Sequence, residues 1–123
     1  MKKYKTFTSF SVSDLEQAKV FYKQTLGLDQ ISMEDHGVLM VNTGGDTKFM
    51  AYYKENHSPA DFTVLNFDVD DLETTVDHLK SKGVTFESVE GADEKGIADM
   101  GPVRVAWTKD PAGNWIAFFQ NGG

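Results

Sequence analysis

Few side chains in this sequence could carry chemistry, and most of them sit where a structural role accounts for them. There are three histidines. His36 falls in a turn beside Glu34 and Asp35, His57 in a polar stretch with Ser58 and Pro59, and His78 on a helix, off its apolar stripe. Each position reads as solvated surface, although histidine is the usual group for metal binding and proton transfer near neutral pH. With no cysteine there is no thiolate nucleophile, no thiolate ligand and no disulfide, which fits a reducing compartment. Ser13 with Glu16, and Asp70 with Glu73, stand at capping-box spacing, so these acids are expected to satisfy helix amides rather than catalyse. Arg104 is the one guanidinium in the chain, able to meet an anionic ligand or a neighbouring acid. No glycine-rich phosphate loop and no Ser/His/Asp arrangement points to another chemistry.

Charge and hydropathy narrow the partners. Twelve Lys/Arg stand against nineteen Asp/Glu, a formal charge of −7, which repels phosphate backbones and anionic membranes. Neither nucleic acid nor membrane is therefore expected as a partner. No stretch approaches the roughly 18 apolar residues of a membrane span. Met1 to Lys5 is basic, but Thr6 to Ser13 alternates polar and apolar instead of running apolar as a signal peptide would. A cytoplasmic location is expected. The 123 residues are read as one domain, 1–123, with a core that needs no staples.

The elements that must position these groups occur twice. Phe10-Ser11-Val12-Ser13-Asp14-Leu15-Glu16 returns as Phe67-Asp68-Val69-Asp70-Asp71-Leu72-Glu73, and Phe49-Met50-Ala51-Tyr52-Tyr53-Lys54 is echoed by Trp115-Ile116-Ala117-Phe118-Phe119-Gln120. Both echoes keep the same order within their halves, which indicates an internal repeat. Module one covers residues 4–54, a polar linker 55–61, and module two 62–120. Each opens with a period-two strand, Phe7 to Val12 and Val64 to Val69. A helix follows, with Leu15, Ala18, Tyr22 and Leu26 on one stripe before Gly27, and Leu72, Val76 and Leu79 on one stripe before Gly83. Three strands come next: near Gln30–Met33, Val38–Asn42 and Lys48–Lys54, then near Thr85–Val89, Val103–Thr108 and Trp115–Gln120. Asp110-Pro111-Ala112-Gly113-Asn114 reads as a tight turn. The fold class is α+β, two tandem βαβββ modules, each a curled mixed sheet with one covering helix, together enclosing a cavity.

This pattern resembles the vicinal oxygen chelate superfamily, the group of glyoxalase I, the extradiol dioxygenases and the bleomycin and fosfomycin resistance proteins. The resemblance rests on Val12-Ser13-Asp14-Leu15 followed by Phe21 to Leu28, on Val69-Asp70-Asp71-Leu72 with Gly83-Val84, and on the 110–114 turn. It implies ligands on the first and last strands of each module in the metal-using members. Counting back seven residues from Asp14 and Asp71 puts those slots at Phe7 and Val64. The last-strand slot falls at Ala117, three residues after Asn114, and its repeat counterpart is mapped to Ala51. All four are apolar, so a divalent ion would lose its hydration without oxygen or imidazole donors in return. No metal and no cofactor is expected.

If those four slots mark the concave face, strand alternation adds Ser9, Phe49, Tyr53, Asn66, Trp115 and Phe119 to it. Such an aromatic lining with few polar groups suits a planar or hydrophobic ligand; core filling or a dimer interface is the competing reading. Ser9 and Asn66 are equivalent under the repeat and read as hydrogen-bonding groups. Asp68, one step further along, is either a general base raised by an apolar pocket or a carboxylate reaching water. Residues 91–102, polar with three glycines, read either as a lid or as an ordinary surface connection, and Asp35-His36 would lie near the cavity mouth. The expected function is metal-independent binding of an apolar or aromatic small molecule at Phe7, Ser9, Phe49, Ala51, Tyr53, Val64, Asn66, Arg104, Trp115, Ala117 and Phe119, in a homodimer. The alternative is a glyoxalase-like lyase, isomerase or dioxygenase, metal-free with Asp68 or a tyrosine as base, or using ligands outside the usual slots.

Overall fold

In a computed structural model that describes residues 3–34 and 36–121, the chain divides into two compact units, one ending at Ser58 and the other starting at Pro59. The first unit runs β1 (Thr8–Val12), α1 (Leu15–Val20) continuing as a π-helical stretch (Phe21–Thr25), β2 (Gln30–Glu34), β3 (Val38–Gly44) and β4 (Thr47–Tyr53). The second runs β5 (Thr63–Asp68), α2 (Leu72–Ser81), β6 (Ile97–Asp99), β7 (Val103–Lys109) and β8 (Trp115–Asn121). The sheet orders are β1-β4-β3-β2 and β5-β8-β7-β6. In both, the first strand lies parallel to the last and the other pairs are antiparallel. The expected α+β pair of βαβββ modules is present.

Period-two strands and a one-sided helix dictate where each core lies. In the first unit Phe10, Val12, Leu39, Val41, Phe49 and Ala51 are buried together with Ala18 and Tyr22 of the helical segment. Phe10 stacks on Phe49 at 5.6 Å, and Tyr22 meets Phe49 edge-on at 5.2 Å. Burying side chains of this size contributes roughly 1.5–3 kcal/mol each. The second unit repeats the plan with Leu65, Ile116, Phe118 and Ala106 on the sheet and Leu72, Val76 and Leu79 on α2. There Phe67 stacks on Phe118 at 5.0 Å. One face of each sheet is thereby committed to its helix.

Three expectations need correction. The helix caps are Asp14 and Asp71, one residue beyond the predicted Ser13 and Asp70; their carboxylates accept from Gln17 N at 3.0 Å and Thr74 N at 3.1 Å. Those bonds hold the Asp71 carboxyl below the usual carboxylate range, with the Arg104 charge assisting. The predicted strand at Thr85–Val89 is a single bridge, Phe86 to Thr108, and the strand of that position is β6 instead. β6 lies inside the segment for which a lid was one reading. Ile97 and Ala98 are buried, and Asp93 Oδ1 fixes the turn before them by accepting from Lys95 N and Ile97 N, both at 2.9 Å. Lys95 then ties this turn to Glu73 and Asp77 of α2, each at 3.3 Å. Residues 97–99 are a packed sheet edge rather than a lid, held by pairing with β7 and by these contacts; three residues are too short to display a strand period in a polar sequence, so the sequence does not mark them.

The 110–114 turn forms as expected. Asp110 Oδ1 accepts from Ala112 N and Asn114 N at 2.9 Å, and Asp110 Oδ2 from Asn114 Nδ2 at 3.1 Å. Gly113 closes it with φ +83°, a conformation side chains rarely adopt, while Pro59 lies 3.3 Å from where a Cβ would stand. This turn sets the β7–β8 register, Lys109 opposite Trp115 and Trp107 opposite Ala117.

Candidate functional site

The sheet faces turned away from the helices are the candidates for meeting a ligand, and register decides which residues they carry. In the second unit Asn66 pairs with Ala117 and Asp68 with Phe119, while Trp107 and Val105 complete those rows from β7. Asn66, Asp68, Trp107, Ala117 and Phe119 therefore share the face turned away from Phe67 and Phe118. Thr63 opposes Trp115, and the register shifts between Thr63 and Leu65, leaving Val64 at a bulge and half-buried. Asp68 is exposed beside Phe119, the water-reaching arrangement rather than the enclosed one.

In the first unit the same reasoning corrects the expected lining. Thr8 pairs with Phe49, Phe10 with Ala51 and Val12 with Tyr53, so Phe49, Ala51 and Tyr53 follow the helix-covered face. Phe49 and Ala51 are 1% and 0% exposed there, and Tyr53, at the strand end, is 52% exposed. Ser9 pairs with Met50 and Ser11 with Tyr52. The residue equivalent to Ala117 is thus Met50, not Ala51. Matching the two alanines slipped the repeat by one position, and a one-residue slip moves every side chain to the opposite face. Phe7 precedes β1, is 50% exposed, and has the Lys48 ammonium 5.3 Å from its ring centre. Arg104 also changes face: it pairs with Asp99 and Gln120 in the phase of Ala106 and Thr108, where its charge acts on Asp71 and Asp93. That places its charge toward these acids rather than on the face of Trp107 and Ala117.

A cleft of about 370 Å³ opens on the second unit, large enough for a drug-sized molecule. Trp107, Trp115 and Thr63 come from the sheet, Phe62 and Asp61 from the segment before β5, and Val89, Glu90 and Met100 from the loops flanking β6. Trp107 Nε1 donates to Thr63 Oγ1 at 3.1 Å, which fixes the indole plane. Phe62 and Met100 are 66% and 56% exposed, a large apolar surface left to water. Sequence reasoning placed Trp115 here but missed Trp107, Phe62 and Met100, since their grouping depends on the β7–β8 register and on β6.

A second hollow, of about 540 Å³, lies on the first unit among Asp29, Gln30, Ser32, Glu34, Asn42 and Lys48 and is polar in character. On the same sheet face Ser11 Oγ meets His57 Nδ1 at 2.6 Å. His57 is brought back to β1 because Lys54 N bonds to Val12 O and His57 N to Lys54 O, each at 3.1 Å. The reading of His57 as solvated linker is corrected by this half-buried pair. His36 and His78 are exposed, and Asp35 lies outside the described residues.

Donor chemistry for a metal is poor at the slots the first and last strands offer. Phe7, Val64 and Ala117 carry none, and Met50, which replaces Ala51 in register, offers only a thioether. Among the described residues no group of three or more His, Asp or Glu side chains is placed to hold a metal ion.

Two βαβββ modules, each pairing its first strand parallel to its last and packing one sheet face against a helix, define a scaffold class on which different functions are built. The chain belongs to the Glyoxalase/Bleomycin resistance protein/Dioxygenase superfamily, whose model matches residues 6–118. It is similar to TnmS3, an antibiotic binding protein from Streptomyces sp. CB03234, with 28% identity, a TM-score of 0.77 and 98% of each chain covered. A glyoxalase/bleomycin resistance protein from the same Streptomyces strain is 29% identical with a TM-score of 0.69, covering 94% of this chain and 97% of that one. A glyoxalase family protein from Bacillus anthracis shares the fold, with 20% identity, a TM-score of 0.72 and coverage of 99% and 100%. No curated protein matches the sequence significantly. No helix among the described residues is long and apolar enough to cross a membrane.

Proposed function

We propose that this protein binds an apolar or aromatic small molecule without a metal, and that the ligand occupies the aromatic cleft of the second unit. The observation that carries this reading is the set of Trp107, Trp115, Phe62 and Met100 around one cleft, with Trp107 fixed by Thr63. Aromatic walls and one or two polar groups are the common make-up of small-molecule sites. The likeness to an antibiotic binding protein agrees with it. Asn66, Ala117 and Phe119 continue the same face, with Asn66 as its hydrogen-bonding group. A homodimer in the cytoplasm is the setting we expect. The test is a thermal-shift screen of planar aromatic compounds, followed by calorimetry of the hits against Phe62→Ala and Asn66→Leu. Phe62→Ala should weaken a hit and Asn66→Leu should weaken it by roughly 1–3 kcal/mol where the hit reaches the amide. Hits that bind both variants as tightly as the parent would place the site elsewhere.

A second reading, an enzyme of the same superfamily, is favoured by one feature. The 2.6 Å Ser11–His57 pair supplies a group able to accept and return a proton on an uncovered sheet face. Turnover of a bound hit that is abolished in His57→Gln, with binding retained, would establish it.

A further inference from the structure

The cleft of the second unit carries charge of one sign. Of its eight lining residues, Asp61 and Glu90 are acidic and none is basic, and both acids are exposed at its mouth. The walls include the aromatic rings of Trp107, Trp115 and Phe62, and such rings attract cations over their faces through the quadrupole. One of these rings already does so, since the Lys109 ammonium lies 4.7 Å from the Trp115 ring centre. The one guanidinium, Arg104, is directed to the covered face and is not available to an anion in the cleft. The whole chain carries a formal charge of −7, which raises the local concentration of cations and lowers that of anions.

From this we infer that the ligand class is a planar aromatic cation, with its ring against Trp107 and Phe62 and its positive group toward Asp61 and Glu90. The inference rests on the cleft being the ligand site and adds the sign of the ligand's charge. Anionic aromatics are discriminated against twice, by the rim carboxylates and by the negative ring faces. Lys109 lies on the same sheet face, its ammonium over the Trp115 ring, and offsets part of the effect, leaving two negative charges against one positive and the rings of Trp107 and Phe62 to meet the cation.

The experiment titrates the full chain with three probes built on one ring system: 9-aminoacridine as cation, acridine as neutral compound and acridine-9-carboxylate as anion. Quenching of tryptophan fluorescence and calorimetry are read at a pH where each probe holds its stated charge, in low and high salt. We expect the cation to bind about three- to tenfold more tightly than the neutral probe, the yield of two partly solvated charge contacts, and the anion more weakly than either. High salt should narrow the gaps. Asp61→Asn with Glu90→Gln should remove most of the cation's advantage over the neutral probe, leaving only the part owed to the rings, while acridine itself is unaffected. Phe62→Ala, at an exposed position that folding tolerates, should weaken all three. If the three probes bind equally, or the double variant leaves the cation's advantage intact, while Phe62→Ala still weakens them, the charge inference is overturned and the cleft reading stands. If none binds, or Phe62→Ala and Trp107→Leu change nothing, both fall.

Discussion

Replacing Asp110 tests whether the 110–114 turn builds the aromatic face. Its carboxylate accepts from Ala112 N and Asn114 N at 2.9 Å and from Asn114 Nδ2 at 3.1 Å. Asp110 and Asn114 are 4% and 2% exposed, so in Asp110→Ala the two Asn114 donors lose their acceptor where water reaches poorly. Stranding a buried donor costs about 1–3 kcal/mol. Ala112 is half-buried and recovers a water, so the two Asn114 donors together set a loss of about 2–6 kcal/mol. Asp110→Asn keeps one carbonyl oxygen for the two backbone amides but sets amide against amide at Asn114 Nδ2, a loss of about 1–2 kcal/mol. Urea unfolding followed by tryptophan fluorescence suits the measurement, because Trp107 and Trp115 flank the turn. In thermal unfolding each kcal/mol corresponds to about 3–5 °C for a chain of this size. An Asp110→Ala protein within about 0.5 kcal/mol of the parent, or one no less stable than Asp110→Asn, would refute this account.

Gly96→Ala should destabilise by roughly 1–3 kcal/mol, because its φ is +90° and the new Cβ would lie 2.9 Å from Phe86 Cβ; Gly27→Ala, at φ +79° with open space, should cost about 1 kcal/mol, and equal melting temperatures for the two would contradict the packing argument. Asp71 has its carboxyl held below the ordinary range by the Thr74 bonds, so it stabilises the fold above the unfolded-state value of about 3.9 and loses that contribution as pH falls through the lower folded value. Asp71→Asn, which still caps but does not titrate, should flatten the acid limb of a melting-temperature profile, and an unchanged limb would show that the cap does not report there. Purified protein should contain far less than one transition metal per chain and gain no thermal stability from nickel, zinc, manganese or iron; elemental analysis giving a stoichiometric metal would overturn the reading of Phe7, Met50, Val64 and Ala117.

The elements that the sequence shows plainly are those whose signals are local. The 110–114 turn declares itself through Asp, Pro and Gly at fixed offsets, and the apolar stripe of α2 returns as Leu72, Val76 and Leu79 buried against its sheet. β6 is different, since three residues cannot display a period and its burial follows from pairing with β7. The site was legible to the same degree. In the second unit Asn66, Trp115, Ala117 and Phe119 fall on one face as alternation requires. In the first, the shared alanine suggested a phase that β1 pairing rejects, because Ala51 is a small core residue beneath the helix while Ala117 lies in the row of Asn66 and Trp107. A sequence match between small residues carries little information about facing. His57 is illegible for a further reason, its partner Ser11 being brought to it by a backbone turn with no compositional mark.

The register also shows how one scaffold written twice has come to hold two chemistries. Phe10 and Phe67 occupy equivalent places and stack on Phe49 and Phe118 respectively, so packing against a helix holds the covered faces to large apolar side chains. On the uncovered faces the equivalent pairs are Ser9 with Asn66, Met50 with Ala117, Tyr52 with Phe119 and Met40 with Trp107. Of these only Ala117 is fully buried, and each pair differs between the units. The first unit has turned polar, with the Ser11–His57 pair and a hollow of carboxylates, amides and Lys48. The second has turned aromatic, and Ala117 is the smallest side chain of its row, which leaves Trp107 room beside it. Enlarging that residue is therefore the most direct way to separate fold from function: Ala117→Leu adds volume on the ligand side of a strand whose covered face is unchanged. It should depress binding of a cleft ligand at least tenfold through displacement of the Trp107 ring, while costing folding only the roughly 1–3 kcal/mol of an overpacked site. Calorimetry beside urea unfolding reads both quantities, and undiminished binding in a folded Ala117→Leu protein would mean that Trp107 does not shape the site.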